Sequence, residues 1–229
     1  MTAQLGQVQA EEEETAFGDA EFQRTDRLLL IGCLLSGTMV VGPFGAILLL
    51  IALQRHRRLS RAGRNPRPWI ATVVGTFCLV DGSINFFAWT LDTFAHDTVI
   101  GHTFITGYGR MFDGAFFVHY NSGALGGVAN HTEKMWQILA ISMVMPLRMV
   151  SAWAFLQMRS WGLHFMRVSG WLYGMLWVGY TMAMSEDYQE RLGRSIYHVP
   201  GWWLFNLFYL SPFFTLPYLY TLQARDWRR

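Results

Sequence analysis

Five long apolar runs dominate this chain, separated by polar turns and one long mixed segment. They extend from Leu28 to Leu53, Trp69 to Thr90, Met135 to Met158, Leu163 to Met184 and Gly201 to Leu222. A helix needs roughly 20 apolar residues to cross the hydrocarbon core of a bilayer. Each run meets that length. The pattern therefore predicts an all-α, polytopic membrane protein, a bundle of five transmembrane helices in a single membrane domain, 27–225. The first run contains Gly32, Gly37, Gly42, Pro43 and Gly45. A packed membrane helix tolerates these residues better than a soluble one, so the run is expected to be one span.

The polar flanks predict orientation. Residues 1–26 carry Glu11 to Glu14, Asp19, Glu21 and Asp26, and read as a disordered acidic tail. A cleavable signal would have a basic start and a short apolar core, so the first run is expected to act as an uncleaved anchor. Between the first two runs stand six arginines, Arg55, Arg57, Arg58, Arg61, Arg64 and Arg67. Arg159 and Arg167 flank the turn between the third and fourth runs, and the chain ends in a basic tail, 226–229, just after Arg225. Basic loops mark the cytosolic face. Five spans place all three basic segments there and put the N-terminus on the outer or lumenal side. The long loop, 91–134, then also lies outside. Within it, Thr103 to Tyr120 is rich in aromatics at helical spacing and suits an interfacial or re-entrant segment. Gly123, Gly126 and Gly127 make a flexible link into the third run.

Composition agrees with a membrane setting. Hydrophobic residues make up 52% of the chain and charged residues 15%, where a soluble domain carries about 25% charged. A net charge of +2 is too small to point to nucleic acid. Cys33 and Cys78 both lie in apolar runs and suggest buried small side chains, with no disulfide or metal spacing.

Ionisable and amide groups at membrane depth are costly, so each needs a reason. Asp81, Asn85 and Trp89 follow one another at intervals of four and share a helix face. Gln137 and Arg148 are eleven residues apart, close to three turns. Tyr173 and Tyr180 stand in the fourth run, Asn206 and Tyr209 in the fifth. Two accounts compete. Asp81 pairs with Arg148 and locks the bundle, with the amides as interhelical hydrogen bonds; or Asp81 is a desolvated proton donor or acceptor oriented by its neighbours. Arg148 lies near enough to the cytosolic end to snorkel. Phosphate-loop, zinc-protease and nucleophile-elbow motifs are absent. His96, His102, His119 and His131 fall at irregular spacing in the long loop, so neither metal nor cofactor is expected.

The last third of the chain contains Leu172-Tyr173-Gly174, then Ser185-Glu186-Asp187, then the aromatic-dense stretch His198 to Pro217 ending in a Leu-Pro step. On these residues the chain resembles the emopamil-binding protein family, the sterol isomerases with an EXPERA-type membrane domain. The resemblance implies five helices with a short basic C-terminal tail, in the endoplasmic reticulum of a eukaryote or the plasma membrane of a bacterium. It also implies departures. The family's His-x-x-x-Glu pair falls on Asp81 and Asn85, a Glu of its third span on Gln137, and an Asn and a Trp of its last span on Leu210 and Phe213.

The expected function is proton-initiated carbocation chemistry, isomerisation or cyclisation, on a sterol or isoprenoid lipid, by the logic of small membrane terpene cyclases. Asp81 is the expected acid, with Asn85 and Gln137 orienting it. Trp89, Arg148, Tyr173, Tyr180, Asn206, Tyr209 and Phe213 are expected to line the substrate, the aromatic faces stabilising a cation. One alternative is a non-catalytic sterol or lipid-binding protein of the same fold. Another is an accessory subunit of a membrane complex, docked through the long loop. The expected partners are a hydrophobic lipid-like ligand, the membrane and a second copy of the chain. Five spans without an internal repeat argue against alternating access between related halves.

Overall fold

The structure is a computed structural model that describes residues 2–38, 41–95, 135–136, 138–193, 195, 210–223, 225 and 227. Among these residues all regular structure is helical. The helices are α1 (Thr2–Gly37), α2 (Gly42–Arg61), α3 (Trp69–Ala95), α4 (Met145–Leu156), α5 (Gly162–Leu192) and α6 (Ser211–Thr221). A π-helical turn, Ala140–Val144, leads into α4. One described stretch, 69–87, is long and apolar enough to cross a membrane by length and composition, and Ala140–Leu156 is apolar but shorter.

The first apolar run does not form one helix. It folds into a hairpin of α1 and α2, the most extensively packed pair of helices among the described residues. The reason is local chemistry. Thr38 donates from both its amide and its hydroxyl to the Leu35 carbonyl, closing the end of α1. Pro43 then lacks the amide hydrogen that a continuing helix needs, and it disfavours helical backbone at Gly42 before it. A proline is well suited to the first turn of a new helix, and α2 begins there. The glycines that looked tolerable within a span instead permit close approach between two helices. A Cβ on Gly32 would come within 2.8 Å of the Leu49 amide nitrogen.

The hairpin also changes the direction of the N-terminal segment. The acidic region expected as a disordered tail is helical from Thr2. Asp26 is buried against Arg67, just ahead of α3, and Gln157, at the end of α4. Trp227, near the C-terminus, donates its indole N–H to the Phe155 carbonyl at 3.0 Å. Arg167 reaches the Leu219 and Leu222 carbonyls at the end of α6. The three basic segments thus converge at one end of the bundle, as their charge pattern suggested. Asp26, at the end of the acidic segment, packs among them there.

Helix α1 lies between α2 and α3, α4 packs on α3 and α5, and α6 packs on α5. Near the arginine end the core gathers Leu29 and Cys33 from α1, Leu79 from α3, Phe155 from α4 and Trp227. Farther along α3, a second core gathers Trp89, Met145, Tyr173 and Trp177. The turn between α4 and α5 falls where the runs predicted it. Met158 there takes a left-handed backbone at φ 54°, and the Arg159 amide returns to the Ala154 carbonyl.

Candidate functional site

The polar residues of the apolar runs meet where α3, α4, α5 and α6 come together. Asp81 and Asn85 are on α3, Arg148 on α4, Tyr173 on α5 and Ser211 at the start of α6. Arg148 holds the Asp81 carboxylate through Nε at 3.0 Å and Nη2 at 3.0 Å, both on Oδ2. Its Nη2 also donates to Ser211 Oγ at 3.1 Å, and the Ser211 hydroxyl in turn donates to Oδ2 at 3.4 Å. On the other carboxylate oxygen, Asn85 Nδ2 donates to Oδ1 at 3.0 Å and the Tyr173 hydroxyl at 3.5 Å. The Arg148 guanidinium carbon sits 4.4 Å from the centre of the Tyr173 ring, a cation–π contact.

This arrangement answers the desolvation problem. A charge taken out of water is tolerated when an opposite charge and hydrogen bonds replace its hydration. Asp81 receives donors from all four helices. The locking account of Asp81 and Arg148 therefore matches the geometry. The pair is also asymmetric. The Arg148 side chain keeps 1% of its exposure and the Asp81 side chain 12%, so the open edge of the node is the carboxylate.

An aromatic wall adjoins the node. Trp89 is one turn beyond Asn85, and its ring lies 4.9 Å from that of Tyr180, which in turn lies 5.7 Å from Trp177. Tyr173 belongs to both groups: its ring packs with Trp177 and Leu176, and its hydroxyl reaches Asp81. The π-helical turn Ala140–Val144 packs against this wall through Ala140 and Val144. Widened turns of this kind are frequent at functional sites.

Of the residues singled out in the sequence, Asp81, Asn85, Trp89, Arg148, Tyr173 and Tyr180 come together here. Phe213 does not; it is 52% exposed on the outer side of α6. Gln137, Asn206 and Tyr209 lie outside the described residues, as do His96, His102, His119 and His131. Ser211 was missed. Its only signal was a lone hydroxyl ahead of a proline inside an apolar run.

A second buried acid–arginine pair was missed entirely. Arg67 Nη2 donates to Asp26 Oδ1 at 2.9 Å and Arg67 Nε to Thr72 Oγ1 at 3.0 Å. Gln157 Nε2 donates to Asp26 Oδ2. His56 Nε2 faces Asp26 Oδ1 at 3.4 Å, with its ring edge-on to Phe22 at 5.4 Å. Burial pushes the Asp26 carboxyl up, but His56 and Arg67 outweigh it and hold the group below its ordinary value of 3.8. Charge patterning assigned Asp26 to a tail and His56 and Arg67 to a loop; only the hairpin brings them together.

No family model matches the chain, and no curated protein or solved structure does so either.

Proposed function

We propose that this chain is an integral membrane protein that binds a sterol- or isoprenoid-like lipid beside the Asp81 node. Its arginine end faces the cytosol, in the plasma membrane of a bacterium or the endoplasmic reticulum of a eukaryote. Segments 69–90, 135–158, 163–184 and 201–222 cross the bilayer in this reading. Large apolar side chains turned outward support the membrane setting: Ile70 on α3, Trp171, Met175 and Met182 on α5, and Phe214 on α6 are each more than half exposed.

The observation that carries the lipid-binding reading is the junction of the open Asp81 carboxylate edge with the wall of Tyr173, Trp177, Tyr180 and Trp89. An amphipathic ring lipid needs such a surface, apolar over most of its length with one polar anchor. Asp81, already ion-paired, then accepts a hydrogen bond from a ligand hydroxyl without changing its own protonation. The test is to identify by mass spectrometry the lipids that co-purify with the full chain. A sterol or isoprenoid alcohol is expected, depleted in Trp89→Ala and Tyr180→Ala variants that retain helical circular dichroism. Lipids indistinguishable from those of an unrelated membrane protein would overturn the reading.

A second reading, carbocation isomerisation or cyclisation of the same lipid class, is favoured by one observation. Asn85 Nδ2 donates to the Tyr173 hydroxyl at 3.4 Å, and that hydroxyl donates to Asp81. Such a chain moves a proton between a ligand and the carboxylate, with Tyr173 as the group nearest the wall. In this reading a protonated Asp81 passes its proton through the Tyr173 hydroxyl to the ligand alkene, and the carboxylate left behind takes a proton back from a neighbouring carbon of the cation, which restores the starting state. Membranes containing Tyr173→Phe, fed candidate lipids, are expected to lose product while still binding lipid. Unchanged turnover would remove Tyr173 from the chemistry.

A further inference from the structure

The α1–α2 hairpin reaches only part of the way along the bundle. Its tip touches α3 at Ser83: a Cβ on Gly37 would lie 2.9 Å from the Ser83 carbonyl carbon. Helix α3 continues beyond that contact to Ala95, twelve residues or about 18 Å farther. From Asp26 to Gly37 the first arm measures about 16 Å, roughly half of a bilayer's hydrocarbon thickness. The apolar part of the hairpin is therefore too short to span and too apolar for water.

Its exposed surface is divided along its length. Toward the tip, Ile31 and Leu34 on α1 and Phe44, Ile47 and Leu50 on α2 are each about half exposed or more. At the base, both arms expose arginine: Arg24 and Arg27 on α1, and Arg55, Arg57, Arg58 and Arg61 on α2. Apolar groups at one depth and a collar of guanidinium groups at another match a single leaflet, acyl chains above phosphates. Arginine binds phosphate through paired N–H donors.

We infer that the α1–α2 hairpin is a wedge in the cytosolic leaflet, with its arginine collar bound to the phosphates of anionic phospholipids. The inference rests on the membrane reading above. It places residues 20 and 62 on the same side of the membrane, where a single span over 28–53 places them on opposite sides.

The test uses the full chain in cell membranes, with Ala20→Cys, Ala62→Cys and Phe44→Cys made singly. Cys33 and Cys78 are buried, and the parent chain sets the background. A membrane-impermeant maleimide is expected to label positions 20 and 62 only from the cytosolic face, and position 44 from neither. Labelling of 20 and 62 from opposite faces overturns the wedge and leaves the membrane reading standing. Release of the chain by alkaline carbonate overturns both.

The lipid arm uses purified protein in vesicles of phosphatidylcholine with phosphatidylglycerol. Phosphatidylglycerol is expected to stay with the protein through detergent exchange. The triple variant Arg57→Gln, Arg58→Gln, Arg61→Gln is expected to lose about tenfold or more of that preference, since each basic residue near an anionic surface contributes on the order of fivefold. Equal retention of both lipids by parent and variant overturns the headgroup assignment.

Discussion

Arg148 places its guanidinium 4.4 Å from the Tyr173 ring and its Nη2 3.0 Å from Asp81 Oδ2, so one cation is shared between a carboxylate and an aromatic face. With its hydrogen bond to Ser211, that single side chain joins four helices, α3, α4, α5 and α6. Replacing Asp81 by Asn leaves a buried guanidinium without its counter-charge, which costs about 3–5 kcal/mol. The double variant Asp81→Asn, Arg148→Met is expected to unfold later than Asp81→Asn alone. Thermal unfolding in detergent, arranged as a double-mutant cycle, measures the coupling. A double variant no more stable than Asp81→Asn contradicts the assignment.

The Asp26 pair predicts a dependence on acid. Its folded-state value lies below 3.8, so its stabilisation is present above about pH 4 and is lost as pH falls through the folded value. The parent chain is expected to lose stability below about pH 4 more steeply than Asp26→Asn, whose midpoint is lower at neutral pH. Denaturant midpoints at several pH values give the comparison; parallel curves count against the pair.

Close helix contact in the hairpin predicts a difference between two glycines. A Cβ at Gly32 meets the backbone of Leu49 at 2.8 Å, whereas at Gly42 the nearest atom is 3.5 Å away. Gly32→Ala is expected to cost about 1–3 kcal/mol, because the arms must separate. Gly42→Ala is expected to change little. Melting temperatures of the two variants decide it, and equal losses speak against the tight crossing.

Trp227 is 1% exposed although it is the third residue from the end of the sequence. It stacks on Phe155 with ring centres 4.9 Å apart and planes 14° from parallel. Trp227→Ala is expected to destabilise by about 3–5 kcal/mol. Trp227→Phe keeps the stack, loses the indole hydrogen bond and is expected to cost about 1 kcal/mol. Limited proteolysis should open the C-terminus in the first variant and spare it in the second.

Much of the architecture was legible in the residues themselves. Hydrophobic length marked α3, α4 and α5, and the turn between the last two, residues 157–161, overlaps the gap after Met158 that the runs predicted. Helical periodicity placed Asp81, Asn85 and Trp89 on one face, because spacing along a regular helix determines direction around its axis. The expectation that Asp81 meets Arg148 also came from cost: two opposite charges at membrane depth need each other. Family resemblance supplied Phe213 as a position in the sequence, and only the rotation of α6 shows that its side chain is 52% exposed and apart from the Asp81 group.

What the sequence by itself determined, then, is an all-helical chain with three basic segments and a single acid, Asp81, within its apolar runs. Only the tertiary structure decided that the first apolar run turns back on itself, and with it which end of the bundle receives the acidic segment. Hydropathy counts apolar residues without regard to direction, so a hairpin of two short helices and one long helix look alike. Asp26, Arg67 and Gln157 became a buried group because that reversal brought them within hydrogen-bond reach. The same distinction applies at Asp81, where residue type suggested a buried acid and only the fold brings Arg148 and Ser211 to one of its oxygens and Asn85 and Tyr173 to the other.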